Sequence, residues 1–206
     1  IKFMFKNRIF FYFFFYITLL IGFFNNENSS GGAIYDFEII SKAIISFSID
    51  LRGTFDIYDK FSISHFPYYY IFLSLIYKIT DNLYITKFLV MHLSLFLPII
   101  FYKIILLRFN IKNDYLFYLP GILFLSVYFR SVAIWALNDN IALIFFCLAI
   151  FFYYIAQNEN KDKQSKILLF CIFNLISLVI AAYIRQYYAI FWIFFVYKFS
   201  ILFGSR

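Results

Sequence analysis

Residues 34–70 read IYDFEIISKAIISFSIDLRGTFDIYDKFSISHFPYYY, a long polar stretch in a chain that is otherwise dominated by Phe, Ile, Leu and Tyr. Five of the eleven acidic residues of the chain lie in it, namely Asp36, Glu38, Asp50, Asp56 and Asp59. A loop of about forty residues is more typical of a functional segment than of a simple connector. We therefore expect the surrounding hydrophobic segments to hold a functional loop at one face of a membrane.

The composition of the chain indicates an integral membrane protein. Of its 206 residues, 64% are hydrophobic and 14% are charged, and the mean hydropathy of +0.82 exceeds what a soluble domain can bury in one core. The formal net charge of +7 is interpreted as Lys and Arg beside cytoplasmic helix ends, so no nucleic-acid partner is predicted. Cys147 and Cys171 lie in apolar runs, which predicts neither a metal site nor a disulfide.

The apolar runs predict six membrane crossings in a single membrane domain that covers residues 1–206. The first crossing, 9–24, follows three basic residues and precedes no small-residue cleavage site, so we expect an uncleaved span with a cytoplasmic N-terminus. The run 68–79 is too short to cross a bilayer about 30 Å thick and is expected to lie along the interface. Five further spans are expected within 83–203, at 83–107, 115–129, 141–156, 167–184 and 187–203.

The distribution of basic residues sets the predicted orientation. If 68–79 does not cross, residues 25–82 form one extracytoplasmic catalytic loop, and 11 of the 18 basic residues lie on the cytoplasmic side. If 68–79 crosses, Arg108, Lys112 and the lysine-rich loop 157–166 move outside, which the positive-inside rule disfavours. We thus predict an all-α polytopic transmembrane bundle whose large first loop carries amphipathic juxtamembrane helices.

Three polar groups are expected to meet at the extracytoplasmic face, one in the loop and one in each of two connections between spans. They are Asp36 with Glu38, Asn138 with Asp139, and Arg185 with Gln186. Charged groups at membrane depth are costly and usually face a cavity or a substrate path. Carboxylates beside an arginine suit a reaction that takes a proton from a hydroxyl and stabilises a phosphate leaving group. On the same predicted face, His65 and Arg130 are further candidates for substrate contact.

Several of these candidates also have a purely structural interpretation. Asp36 is placed to cap a short amphipathic helix. Glu38 and Lys42 have the i,i+4 spacing of a surface ion pair, and Arg185 is long enough to reach lipid headgroups. No dense cluster of Asp and His requires a metal, so no metal site is assigned, although a divalent cation held by Glu38 and Asp139 stays open as a cofactor.

Further short motifs follow the same order along the chain. The loop opens with Tyr35-Asp36-Phe37-Glu38, and the segment His65-Phe66-Pro67-Tyr68-Tyr69 follows it. This order resembles the GT-C superfamily of membrane glycosyltransferases. Within that superfamily, Val127-Tyr128-Phe129 with Asp139, and Arg185-Gln186 before an aromatic-rich span, resemble motifs of the dolichyl-phosphate-glucose-dependent α-1,2-glucosyltransferases. The likeness covers about residues 8–203, but Phe37 separates two acidic residues that are adjacent in that family.

The resemblance implies a hexosyltransferase that uses a polyprenyl-phosphate-linked sugar and inverts the transferred sugar. The acceptor would be an extracytoplasmic glycan, glycolipid or protein, and the enzyme would lie in a bacterial plasma membrane or a eukaryotic endoplasmic reticulum membrane. The implied catalytic residues are Asp36, as general base, and Glu38, and the implied substrate-binding residues are His65, Arg130, Asp139, Arg185 and Gln186. Chains of that family are longer, so we expect the sequence to be a fragment with further spans.

Two other functional classes are weighed against this interpretation. A transporter or flippase of lipid-linked or small solutes would use the same charges to line a path. Its usual signature of paired halves with broken helices is weak here, since only Pro98 and Pro120-Gly121 interrupt spans. A membrane O-acyltransferase would need an intramembrane histidine as base. His92 lies on an apolar span and is interpreted instead as a packed histidine.

Overall fold

The computed structural model describes residues 2–109, 114–160 and 162–204. Throughout these ranges the ordered elements are helices, and no residue in them is part of a strand. In chain order the α-helices are α1 (Lys2–Phe24), α2 (Ala33–Ile49), α3 (Leu51–Asp56), α4 (Tyr68–Thr80), α5 (Leu83–Ser94), α6 (Phe96–Phe109), α7 (Val127–Ile134), α8 (Asn138–Asn158), α9 (Gln164–Ile184) and α10 (Phe191–Gly204).

The prediction of an all-helical fold is confirmed for the described residues, and their helices are consistent with a membrane protein. Among the described residues, four helical stretches are long and apolar enough to cross a membrane, and α1 contains a shorter apolar stretch, Phe10–Phe24. The four stretches are Leu83–Phe109, Asn138–Asn158, Gln164–Ile184 and Gln186–Gly204. They correspond to four of the six predicted crossings.

The first of these stretches contains a break between α5 and α6. Helix α5 ends at Ser94, and α6 begins at Phe96. Pro98 explains the position of the break, because proline has no amide to donate and its ring crowds the carbonyl of the residue four positions earlier, which is Ser94. The apolar run predicted as one span therefore consists of two helices joined at Leu95.

The run 115–129, predicted as a crossing, is not one continuous helix. It contains two 3-10 segments, Asp114–Phe117 and Leu119–Leu125, and α7 starts only at Val127. Pro120 lies at the start of the second segment, and Gly121 packs so closely on α1 that a Cβ there would be 2.5 Å from a ring carbon of Phe11. Proline and close packing thus favour short helices against α1 over a span.

Within the polar stretch, α2 buries one apolar face, in agreement with the predicted amphipathic helix, whereas α3 buries only Thr54. Helix α2 buries apolar residues at helical spacing, and it packs mainly on α4. Asp50 lies between α2 and α3, where its side chain accepts the amide of Gly53 at 3.0 Å. Helix α4 begins directly after Pro67, in agreement with the expected short helix at 68–79. The buried face of α2 consists of Ala33, Phe37, Ile40, Ala43, Ile44 and Phe47.

The core of the bundle is centred on the connection between α7 and α8. Every residue from 131 to 140 is buried. Ala136 has a positive φ of 50°, a left-handed conformation that is uncommon for a residue with a Cβ, and this conformation turns the chain from α7 into α8. The hydroxyl of Tyr69 donates to the Ala136 carbonyl at 2.8 Å. The turn is thereby fixed to α4, and it directs Asn138 and Asp139 to the first turn of α8.

Candidate functional site

A polar cavity of about 200 Å³ lies where α2, the segment before α4, the α7–α8 connection and the end of α9 meet. Three of the predicted site residues line it: Asp36, His65 and Arg185. The other polar side chains in its wall belong to Ser62, Ser64, Tyr70 and Asn138. The tertiary structure thus brings together residues that are more than a hundred positions apart in the sequence.

Arg185 is the central charged group of this cavity. Its Nη2 forms an ion pair with Oδ2 of Asp139, and its Nη1 lies 2.5 Å from Nε2 of His65. The two side chains of the ion pair are 20% and 11% exposed. Burial is the largest single influence and lowers the pKa of Arg185, but the hydrogen bond and the negative charge of Asp139, together with two nearby tyrosines, leave that pKa above its ordinary value. The guanidinium is therefore a fixed positive charge.

His65 is held in its neutral form by this neighbour. A guanidinium can only donate hydrogen bonds, so Nε2 of His65 accepts and the imidazole proton lies on Nδ1. Burial, followed by the positive charge of Arg185, lowers the pKa of His65 below its usual value. The segment that carries His65 is itself fixed, because the hydroxyl of Tyr58 donates to the His65 carbonyl at 2.7 Å.

The helix ends explain why these charges meet. Asp139 lies in the first turn of α8, where the helix dipole favours a carboxylate. Arg185 directly follows the last residue of α9, in an extended conformation, and its amide still donates to the carbonyl of Ala181 at 2.8 Å. Gln186 comes next, and its side-chain amide lies 3.4 Å from the carbonyl of Ser64. Asp139, Arg185 and Gln186 therefore all contact or border the cavity wall.

One donor of Arg185 has no partner among the described residues. Nε of Arg185 is buried and makes no hydrogen bond to any described residue. A buried donor without an acceptor costs free energy, and in native proteins it usually calls for an explanation. An acceptor oxygen of a bound molecule at this position would complete the hydrogen bonding of the guanidinium.

The side chain of Asp36 lines the cavity and does not cap its helix. The N-cap residue of α2 is Gly32, and the first amide of the helix, from Ala33, donates to the side chain of Asn28 at 3.1 Å. Asp36 lies in the first turn, and its side chain borders the cavity. The alternative interpretation of Asp36 as a helix cap is therefore wrong.

Glu38 and Arg130, also predicted as site residues, lie elsewhere. Glu38 is exposed and does not line the cavity, since two residues along an α-helix turn the side chain by about 200°. It forms no ion pair with Lys42, so the predicted i,i+4 pair is absent. The guanidinium of Arg130 is bound to Glu27, with Nε 2.8 Å from Oε1, and to Thr18. Arg130 is thus committed to holding α7 against α1.

Sequence reasoning assigned no site role to two tyrosines near the cavity or to the partner of Arg130. Tyr70 is buried in its wall, and the side chain of Tyr128 is hydrogen-bonded to Asp139. Glu27, the partner of Arg130, was not singled out because it lies in an Asn-rich linker with no helical spacing to any basic residue. Neither tyrosine was singled out as a site residue, since Tyr is abundant in this chain, and Tyr128 entered only as part of the motif Val127-Tyr128-Phe129.

Neither a metal site nor the O-acyltransferase histidine gains support from the structure. In the described part of the chain, no three or more His, Cys, Asp or Glu side chains form a group that could hold a metal ion. Both ring nitrogens of His92 are bonded, Nδ1 to the carbonyl of Phe88 at 2.7 Å and Nε2 to the hydroxyl of Tyr16 at 2.9 Å. The interpretation of His92 as a packed histidine is therefore confirmed.

A large apolar groove runs beside the polar cavity. Its volume is about 600 Å³, and it lies between α4, the α5–α6 pair, α8 and α9. Its wall and the cavity wall are formed by neighbouring residues, because Tyr69 and Ile184 line the groove while Tyr70 and Arg185 line the cavity. The rest of the groove is lined by Tyr68, Phe72, Leu93, Phe96, Ile100, Ile141, Ile144, Phe145, Leu148, Ile180 and Tyr183. Together, the groove and the cavity offer an apolar surface with a small charged pocket at its edge.

Comparison of the chain with protein-family models, with curated proteins and with solved structures finds no significant match in any of the three.

Proposed function

We propose that the protein is a membrane glycosyltransferase that transfers a hexose from a polyprenyl-phosphate-linked donor to an extracytoplasmic acceptor. The observation that carries the proposal is the apolar groove next to the cavity of Asp36, His65 and Arg185. A ligand that fits both parts has a long apolar chain and a small polar head. A polyprenyl-phosphate sugar has this form, with the chain in the groove and the sugar at the cavity.

Asp36 acts as the general base in this proposal. Its carboxylate takes the proton from an acceptor hydroxyl as that oxygen attacks C1 of the sugar. The bond between C1 and the phosphate oxygen breaks, and the polyprenyl phosphate leaves with the electron pair, so that the sugar is inverted. A carboxylate is a weak base for an alcohol, so the proton moves late in the reaction, as the new bond forms.

Arg185 stabilises the phosphate in the same proposal. Its unpartnered Nε is available for a phosphate oxygen, while Asp139 and His65 hold the other two nitrogens in place. A well-placed donor of this kind contributes a few kcal/mol to the stabilisation of developing charge. Arg130 has no part in this step, because Glu27 already neutralises it.

Asp36→Asn, compared with Glu38→Gln, tests the proposal. Both variants remove one carboxylate from the same helix, but only Asp36 borders the cavity. Membranes containing each variant are assayed with radiolabelled polyprenyl-phosphate hexoses for transfer to endogenous acceptors. We expect Asp36→Asn to lower transfer at least about 100-fold, the scale for a general base, and Glu38→Gln to leave it unchanged.

Two results would contradict the proposal in different ways. Equal losses in both variants would mean that the position in the cavity does not decide the role of Asp36. An absence of transfer from every donor, with binding of the donor retained, would favour a carrier of lipid-linked solutes, which needs the same groove and cavity but makes no new bond.

A further inference from the structure

Lys87 is a buried charged residue that the proposed mechanism does not use. It lies on the second turn of α5 and is 6% exposed. Across the described ranges, no carboxylate lies within ion-pairing distance of its ammonium group. Four aromatic rings surround it instead, with Nζ 3.9 Å from the ring centroid of Trp135, 5.2 Å from that of Phe37, and 5.8 Å from those of Phe23 and Tyr84. These four residues are the aromatic cage.

The cage explains how the charge is tolerated. A buried ammonium without a partner is costly, and the negative faces of aromatic rings offset this cost most strongly when water is excluded and when one ring is Trp. The attraction depends on where the rings stand around the cation. A Leu or Met at position 87 would fill the same space but would not attract the rings to fixed positions around a charge. The lysine therefore fills the space and also sets the positions of the four rings.

Two of the four rings, those of Phe37 and Trp135, come from the segments that build the two sides of the cavity. Phe37 is the neighbour of Asp36 on α2, and Trp135 lies four residues before Asp139 in the α7–α8 connection. The rings of Phe37 and Trp135 are in direct contact, with centroids 6.0 Å apart. Lys87 therefore lies where the wall that carries Asp36 meets the wall that carries the ion pair of Asp139.

We propose that Lys87 is a positioning residue. Its ammonium group, held by the aromatic cage, fixes α2 against the α7–α8 connection and so sets the separation of Asp36 from the pair formed by Asp139 and Arg185. The geometric part of this inference stands on the cage alone. Its consequence for catalysis rests on the proposed function.

The geometric part is tested by the distance between spin labels. Labels are attached at Lys42→Cys, on the exposed face of α2, and at Ala189→Cys, an exposed position four residues after Arg185, with Cys147 and Cys171 replaced by Ala. The distance distribution is measured by pulsed electron resonance with position 87 as Lys, Met or Arg. Met matches the apolar stem and removes the charge, whereas Arg keeps a cation.

We expect a narrow distribution with Lys and with Arg, and a broader or shifted one with Met. The same distribution for Lys87→Met as for the wild type would overturn the inference. Phe37→Leu is the second variant, which decides the question if Lys87→Met does not fold. It removes one ring while keeping apolar volume, and an unchanged distribution in it would likewise overturn the inference.

Activity then tests the catalytic consequence. We expect Lys87→Met to lower kcat about 100-fold, the scale of a misplacement of about 1 Å, with KM for the donor changed less than about twofold, and Lys87→Arg to restore most of kcat. If Lys87→Met changes the label distance but the wild-type protein transfers no sugar, the geometric inference stands and the proposed function is wrong. Transfer that is unaffected by a distance change would remove only the catalytic role of Lys87.

Discussion

Replacing Glu27 by Ala should destabilise the protein strongly although Glu27 lies outside the proposed site. Arg130 donates to both carboxylate oxygens of Glu27 and also to the hydroxyl and the carbonyl of Thr18. The side chains of Arg130 and Glu27 are only 15% and 21% exposed. Removing the carboxylate would leave a guanidinium that is largely buried between α1 and α7 without a counter-charge.

The expected loss is about 3 kcal/mol. Breaking a buried ion pair by removing one partner typically costs about 3 to 5 kcal/mol, and the lower end applies because both side chains keep some contact with solvent. For a chain of this size, each kcal/mol corresponds to about 2 to 4 °C, so the melting temperature should fall by about 6 to 12 °C. Glu159→Ala is the matched control, because Glu159 is paired at 3.3 Å with Lys163, whose side chain is 54% exposed. We expect no measurable shift for it.

The two free cysteines supply the assay. Cys147 and Cys171 are both buried and unpaired, so a thiol-reactive dye reports unfolding when they become accessible. Heating the purified protein in detergent with such a dye gives the melting temperature of each variant. A further variant, Glu27→Ala with Arg130→Met, should recover part of the loss, because it removes the unpaired charge. A shift below about 1 °C for Glu27→Ala, or no recovery in the double variant, would refute the assignment of this pair as a buried ion pair.

Four further predictions concern stability and use the same melting assay. The hydrogen bond from Arg130 lowers the pKa of Glu27. The stabilisation by this pair is therefore present above the ordinary Glu pKa of about 4.3 and is lost as the pH falls through the lower pKa of the folded state. The difference in melting temperature between the wild type and Glu27→Ala should vanish at that low pH, and its persistence would contradict the pairing. Gly22→Ala should lower the melting temperature, although alanine has the better helix propensity, because the new Cβ would overlap the Glu27 carboxylate. A higher melting temperature would show that the ion pair of Glu27 and Arg130 can move aside. Tyr69→Phe should cost about 1 to 2 kcal/mol by leaving the carbonyl of Ala136 without its donor, whereas an unchanged melting temperature would mean that this bond adds nothing. Asp81→Gly should stabilise the protein by about 0.5 to 1 kcal/mol, because Asp81 ends α4 at φ 47°, a conformation that glycine adopts without the steric cost of a Cβ. Asp81→Ala keeps the Cβ and should not stabilise. Equal effects of the two substitutions would exclude backbone strain as the cause.

The sequence predicted the general architecture because hydrophobic length and periodicity are local properties. Apolar runs of about twenty residues identified the helical stretches at 83–107, 141–156, 167–184 and 187–203, and the short run 68–79 formed the short helix α4. The prediction of a span at 115–129 was wrong, because Pro120 and the close approach of Gly121 to α1 divide this run into short helices. Average hydrophobicity does not reveal such a break. Apolarity alone did not distinguish a span from a packed, broken segment.

The sequence by itself determined that the protein is helical and suited to a membrane, and it identified Asp36, His65 and Arg185 as candidates for one site. Only the tertiary structure decided the partner of each charge. Arg185 pairs with Asp139, 46 positions away, and Arg130 pairs with Glu27, 103 positions away. Side-chain spacing along a helix determines which residues share a face of that helix. It does not determine which other helix that face packs against. Ion pairs between helices therefore depend on packing, and packing paired Arg130 with Glu27 away from the cavity and placed Lys87 against Phe37 and Trp135.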